Sequence, residues 1–369
     1  MKKTIKDIYD SHNNLFTIMS IIMSIMIIVF HCYALFYNNG KTDFLSNLLE
    51  YENTGSIVVA MFFIISGFMI PTSLKNSKNL GNYLWKRVKK IIPPLFLCLV
   101  VSSMVIAPLV LKVNYFSYLF HPGNYFHYIF DNLLFVKNTN YGISNAFINN
   151  PYPIAINGSI WTLKHQFFMY LLIIPIFYLL VKDDKKYYYI FYLLILFITI
   201  LSYTGSLDNI YKYFTNHFSY IGILNEGKSL IRLSYYFLAG VFINKYIDKI
   251  PYTKFSIIIM ILPLIIFFKT EYFPYACLVS LPYLTIVLGT IKCPIKITDI
   301  SYHIYIWAFP IQQLIIYYGL KNLNIYNYII LSIFATIIVA YISYYLSEYP
   351  FKKRRWFYGF FCYFKLQKY

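Results

Sequence analysis

The sequence predicts an all-α membrane bundle of about ten transmembrane helices, a single integral-membrane domain over residues 1–369 with both termini cytoplasmic. Three observations predict it. Hydrophobic residues make up 59% of the chain and charged residues only 12%, with mean hydropathy +0.57, whereas soluble domains carry roughly 25% charge. Apolar runs close to the length that crosses a hydrocarbon core recur from end to end. The 14 acidic residues fall between those runs or at their ends, and most of the 32 basic residues gather on alternate connections, the bias that sets orientation in a bilayer.

The runs, in order, are Leu15 to Phe36, Ile57 to Leu74, Ile91 to Leu111, Ser159 to Leu180, Tyr188 to Tyr203, Ile231 to Ile247, Phe255 to Phe268, Tyr272 to Ile291, Ile304 to Leu320 and Tyr326 to Leu346. An even count leaves both termini on one side. If that side is the cytoplasm, the inner segments carry Lys2, Lys3 and Lys6; Lys75, Lys78, Lys86, Arg87, Lys89 and Lys90; and Lys182, Lys185 and Lys186. They also carry Lys245, Lys249, Lys254, Lys292 and Lys296, and the tail's Lys352, Lys353, Arg354, Arg355, Lys365 and Lys368. The net charge of +18 therefore reflects topology and points to membrane lipid, not nucleic acid. The basic amino terminus before the first run resembles a signal peptide, but Cys32, Tyr33, Ala34 and Leu35 supply no cleavage site, so the helix is read as retained. Cys32, Cys98, Cys277, Cys293 and Cys362 have no paired or ligand-like spacing, and no disulfide framework or metal site is expected.

The first run holds one ionisable residue, His31. At about 100° per residue, Thr17, Ser20, Ser24 and His31 share a narrow arc, so one face of this helix is polar. A histidine within a span is a functional candidate facing the bundle interior. His31 lies five residues from the outer end of its run, and the fourth run enters from the same side near Ser159. Lys164, His165 and Gln166 are thus expected level with His31, forming a polar wall, although Lys164 also has the reach to snorkel outward. At the inner face, Lys86, Arg87, Lys89 and Lys90 precede Ile91-Ile92-Pro93-Pro94, which reads as a cationic patch at a helix start and suits phosphate groups of a lipid or a nucleotide. Two long outer connections, Val113 to Gly158 and Thr204 to Leu230, are rich in aromatic and polar side chains that suit sugars.

Seven segments in order resemble one family, the bacterial membrane acyltransferases known as acyltransferase 3. They are His31 in the first run; Phe62-Phe63-Ile64-Ile65-Ser66-Gly67-Phe68; Arg87-Val88-Lys89-Lys90-Ile91-Ile92-Pro93; Trp161-Thr162-Leu163-Lys164-His165-Gln166 with Tyr170; Tyr236-Phe237-Leu238-Ala239-Gly240; Ser301-Tyr302-His303-Ile304-Tyr305-Ile306-Trp307; and Glu348-Tyr349-Pro350-Phe351. The resemblance implies an O-acetyltransferase of the bacterial inner membrane. It would take acetyl from cytoplasmic acetyl-CoA and place it on a hydroxyl of a surface polysaccharide, such as capsule or lipopolysaccharide, or of its lipid-linked precursor. By the same resemblance His31 is the catalytic histidine, and Arg87 and Lys90, with Lys86 nearby, hold the phosphates of CoA.

On this reading the neutral His31 imidazole is a general base for the acceptor hydroxyl, and an acyl-histidine intermediate is the alternative. Lys164 and Gln166 are candidates for stabilising the developing oxyanion. Trp161, His165, Ser66 and Tyr305 are candidate substrate contacts, although Ser66-Gly67 also suits close helix packing and Trp161 and Tyr305 suit interface anchoring. The chain departs from the family pattern at Ser20 (usually arginine), Gln166 (usually glutamate) and Ala308 (often histidine). These changes leave room for a catalytically degenerate member. A glycan flippase, transporter or polymerase is the competing class, but no duplicated half-repeat is visible to support a transporter.

Overall fold

Each of the ten apolar runs is a helix in the structure, a computed structural model that describes residues 3–37, 42–121, 123–135, 137–181, 187–218, 221–319 and 324–352. They are α1 Phe16–Tyr37, α2 Thr54–Lys75, α3 Leu80–Leu111, α4 Trp161–Ile176, α5 Tyr187–Tyr203, α6 Gly227–Lys245, α7 Lys254–Ile266, α8 Phe273–Gly289, α9 Ser301–Tyr317 and α10 Ile325–Ser347. Among the described residues there is no β-strand, only two isolated bridges, Thr4 to Pro251 and Gly142 to Ala155. Of the residues used to predict orientation, Lys2, Lys182, Lys185, Lys186, Lys353, Arg354, Arg355, Lys365 and Lys368 lie outside the described residues, as do Leu320, which ends the ninth predicted run, and Cys362.

By length and composition α1, α2, α3, α10 and α4 carried on through its last turn to Leu179 are able to cross a membrane, and α5 joins them if it is taken with Asp208–His217, bent from it by 91°. The 17-residue α9 is almost wholly buried, whereas α7, at 13 residues, has no buried side chain. Lipid tails are as apolar as leucine, so helices in a bilayer associate through close packing and polar contacts and not through water exclusion. The crossing of α2 and α6 illustrates this. A Cβ at Gly67 would lie 1.8 Å from the Phe237 carbonyl oxygen, and one at Gly240 would lie 2.1 Å from that of Ile64. The two backbones meet because both positions lack a side chain. Between α1 and α9, Ser24 Oγ donates to the Ser301 carbonyl at 2.9 Å and Gln312 Nε2 to that of Ile28 at 2.8 Å. His303 fastens α9 to Ser343 of α10 (2.9 Å) and to Glu348 just beyond it (3.0 Å).

One predicted boundary is corrected. The third helix starts at Leu80, eleven residues before the predicted Ile91, where the Asn79 side chain accepts the Asn82 N–H in an N-cap. Lys86, Arg87, Lys89 and Lys90 therefore lie in the second and third turns of the helix, past its positive end. Hydropathy read them as loop, although lysine and arginine are good helix formers. Pro93 and Pro94 sit inside the helix, as prolines do in bundles where neighbouring groups satisfy freed carbonyls, and Tyr302 Oη donates to the Ile91 carbonyl in this turn.

The connections sort to two ends. At one, the amino terminus meets the α6–α7 turn (Ile5 N to Ile250 O, 3.1 Å) and Leu15 N donates to Gly289 O, with Lys90 beside Asp299. At the other, Arg232 pairs with Glu52 and Lys164 with Glu226. At this second end the chain before α4 dips inward, since Ile156, Asn157, Ser159 and Ile160 are all buried.

Candidate functional site

α1, α2, α3, α4 and α9 enclose a cavity of about 250 Å³. Thr17 and Ser20 of α1 open onto it, so the polar arc of the first helix does face the interior. α2 lines it from Val59 to Ile70, about 16 Å at 1.5 Å per residue, roughly half a hydrocarbon core. Most of the wall is apolar: Phe16, Phe62, Phe63, Ile65, Met69 and Leu163.

Its end on the amino-terminal side is cationic. Arg87 Nη2 donates to Ser73 Oγ at 3.1 Å, and the guanidinium lies 5.8 and 5.7 Å from the centres of the Tyr83 and Tyr170 rings. Its Nε is buried without a hydrogen-bond partner among the described residues. Lys90 also lines the cavity, half-exposed, 3.3 Å from Asp299 Oδ2. Burial pushes the Asp299 carboxyl up, but Lys90 and the Ser301 N–H and hydroxyl outweigh it and hold the group below the usual carboxylate range. Lys86 is not part of the lining; its Nζ donates to Ser77 Oγ at 3.0 Å.

Further in, Gln166 Nε2 donates to Tyr170 Oη (2.7 Å) and Ser66 Oγ (3.4 Å). Gly67 makes the helix crossing while its neighbour Ser66 faces the cavity. Tyr305 closes the far end. Its hydroxyl lies 2.7 Å from Thr162 Oγ1 and donates to the Ser159 carbonyl at 3.0 Å, while its ring meets Phe62 edge-on.

His31 stands beyond that closure. Its ring packs edge-on against Phe309 of α9 at 5.4 Å and beside Phe30 at 5.7 Å, and its Nδ1 is buried without a partner among the described residues. Phe309 is one turn past Tyr305, and Gly55, against which Phe30 packs, is one turn past Val59. His31 is thus about 6 Å of helix rise from the end of the cavity. The expectation that Gln166 is level with His31 is corrected, since Ser66 lies eleven residues from Gly55, about 16 Å along α2. The reason is the inward dip before Trp161, which starts α4 well inside the bundle.

Trp161, Lys164 and His165 are not in the cavity lining. Lys164, 3% exposed, pairs with Glu226 Oε1 at 2.6 Å and donates to the Gly222 carbonyl at 3.2 Å. His165 Nδ1 donates to the Trp161 carbonyl at 3.1 Å, leaving Nε2 3.4 Å from Glu226 Oε2. Glu226, on the connection before α6, is brought against both Lys164 and His165 by the fold. Ser20 and Gln166, where the expected arginine and glutamate are missing, both line the cavity, so the two losses cancel in charge. No group of three or more possible metal ligands occurs among the described residues.

The fold and site define a membrane-embedded helical protein with a largely apolar chamber that is cationic at one end. The acyltransferase domain family (acyltransferase 3) matches residues 17–348, and the chain belongs to that family: it is an acyltransferase. It is similar to an O-acetyl transferase of Shigella phage Sf6, 24% identical over 350 residues that cover 93% of this chain and 97% of the relative. No solved structure matches it.

Proposed function

We propose that the protein is an O-acetyltransferase of the bacterial inner membrane, with ten helices crossing the bilayer and both termini in the cytoplasm. It takes acetyl from cytoplasmic acetyl-CoA and transfers it to a hydroxyl of a cell-surface polysaccharide or a lipid-linked precursor. The observation that supports this best is the alignment of two side chains along the bundle. Arg87 lines one end of the chamber, and His31 lies about one turn beyond the other.

When bound, acetyl-CoA supplies the thioester carbonyl that the hydroxyl attacks. Arg87 and Lys90 hold its phosphates with charge-assisted hydrogen bonds, stronger than neutral ones. The apolar wall excludes water from the arm, and Gln166 and Ser66 offer it polar contacts. Tyr305 must leave Thr162 and Ser159 for the chamber to reach His31. There the His31 imidazole would take the acceptor proton as general base while the hydroxyl oxygen bonds to the carbonyl carbon; the carbonyl–sulfur bond then breaks and the proton passes to the leaving CoA thiolate. Gln166, in the chamber, is the better placed of the two oxyanion candidates once the arm advances, since Lys164 is engaged by Glu226 and Gly222.

The test is purified protein in nanodiscs with radiolabelled acetyl-CoA and the cell's own polysaccharide. His31→Ala is expected to abolish transfer while leaving donor binding within about two-fold. Unchanged ester formation in that variant overturns the reading. Shortened or unexported glycan in cells carrying His31→Ala, with acetyl content intact, would favour the polymerase or transporter class.

A further inference from the structure

The outer segment from Tyr141 to Asn157 is coil, yet it is held as firmly as a helix. Gln313 Nε2 of α9 donates to the carbonyls of Tyr152 and Ala155, both at 2.8 Å, and Asn150 Nδ2 returns bonds to the Gln313 carbonyl (3.0 Å) and Oε1 (2.8 Å). The Tyr141 carbonyl accepts from Ile156 N at 2.7 Å and Asn157 N at 3.1 Å. Asn157 Nδ2 donates to the Ile306 carbonyl at 2.9 Å.

The segment also carries backbone strain. Ser144, Phe147 and Ile154 have φ of 46°, 59° and 70°, and a β-branched residue at positive φ is a true outlier. Gly142 accommodates it, since a Cβ there would lie 2.3 Å from the Ile154 carbonyl oxygen. Strain of this kind persists where surrounding contacts over-determine it, and it clusters at ligand sites.

This framework displays two tyrosines. Tyr141 and Tyr152 are each 40% exposed, although their backbones are pinned. They differ from the other exposed outer aromatics. Phe126 and Phe130, with Leu134, recur every fourth residue along Gly123–Leu134, the pattern of a helix lying in the membrane interface. Tyr152 instead packs its ring edge-on to Phe309 at 5.9 Å and 81°, and Phe309 packs in the same way on His31. A stack of three rings thus runs from the outer surface to the catalytic imidazole. Gly158 makes room for its middle member, because a Cβ there would meet the Phe309 ring at 2.5 Å. Tyr141 feels the carboxylate of Glu226, which is 25% exposed. Burial first, and then that carboxylate, push the Tyr141 hydroxyl up to about 12, so it remains a hydrogen-bond donor.

We propose that Tyr152, with Tyr141 displayed on the same pinned segment, is the acceptor platform. A pyranose ring stacks its C–H face on Tyr152, and one hydroxyl is directed past Phe309 to His31. The assignment rests on the acetyltransferase reading for its acceptor, but its test is separable.

Full-length protein in nanodiscs is mixed, without acetyl-CoA, with oligosaccharides released from the cell's own surface polysaccharide. Binding is followed by saturation-transfer NMR, and transfer kinetics are measured in parallel. Tyr152→Ala is expected to weaken binding and raise the acceptor KM about 10-fold, with the acetyl-CoA KM and the melting temperature unchanged. Tyr152→Trp and Tyr152→Phe are expected to stay within about three-fold. Equal glycan binding by wild type and Tyr152→Ala overturns the platform, as does the absence of glycan binding by wild type. Binding that Tyr152→Ala abolishes, in a wild-type protein that transfers no acetyl, upholds the platform and removes the acetyltransferase reading instead.

Discussion

Replacing Arg87 by glutamine tests the donor end of the chamber most directly. In the free protein the change removes one hydrogen bond, to Ser73 at 3.1 Å, and the contacts with the Tyr83 and Tyr170 rings. Cation–π contacts contribute about 0.5–2 kcal/mol each and a hydrogen bond to a charged group about 1.5–3 kcal/mol, so a modest loss of thermal stability is expected. On the proposed reading the larger effect falls on ligand binding, because Arg87 lines the cationic end of the chamber. Losing one charge-assisted bond at about 1.5–3 kcal/mol corresponds to roughly a 10- to 150-fold rise in the acetyl-CoA Kd. The phosphates are remote from the reacting carbonyl, so the binding lost is uniform, and KM is expected to rise with kcat nearly constant. Equilibrium binding of labelled CoA and initial-rate kinetics on the same nanodiscs measure both quantities. Lys86→Gln is the internal control: Lys86 bonds Ser77 outside the chamber, and less than a three-fold change is expected. A fall in kcat without a change in donor KM, or equal effects of the two substitutions, would refute the assignment.

Other expectations follow from the same contacts. Ser20→Arg and Gln166→Glu each place an unpaired charge in the chamber wall, and each is expected to destabilise the protein by about 3 kcal/mol. The double variant should recover most of that loss, and additive melting shifts would show that the two positions do not meet. Gly67→Ala would drive a methyl group into the Phe237 carbonyl and part α2 from α6, at a cost of about 1–3 kcal/mol; a melting temperature equal to wild type would contradict the crossing. Asp299 and Glu348 are both held below their ordinary values of 3.8 and 4.5, burial being outweighed by Lys90 and Ser301 for the first and by His303 and Lys352 for the second. A carboxylate with a depressed folded pKa stabilises above its unfolded value and loses that contribution as pH falls through the folded one. Melting temperature should therefore drop on acidification below about pH 4.5, with a shallower drop in Asp299→Asn and Glu348→Gln.

The ten helices were legible because hydropathy over some 20 residues is a strong signal. The start of α3 was not legible, since a helix carrying Lys86, Arg87, Lys89 and Lys90 in its first turns looks like a loop to any hydropathy argument. The polar arc Thr17, Ser20, Ser24 and His31 was read correctly as inward-facing, because angular position depends only on spacing. Depth was misjudged, because counting residues from Ser159 assumed that the preceding chain rests on the surface, whereas Ile156 to Ile160 descend into the bundle. The pairing of Glu226 with Lys164 and His165 was not legible because it joins residues 62 positions apart in the first case, a separation that local spacing does not bridge.

The turn of α9 between Tyr305 and Phe309 has a consequence for the cell that carries the protein. On the proposed topology, an unbroken wet passage through the bundle would leak protons and discharge the gradient that drives the cell's energy supply. Tyr305, hydrogen-bonded to Thr162 and Ser159 with Phe62 against its ring, stands between the chamber and His31. On the acetyltransferase reading an acyl group would then cross as an uncharged passenger, through a door that need open only while the thioester arm itself fills the frame.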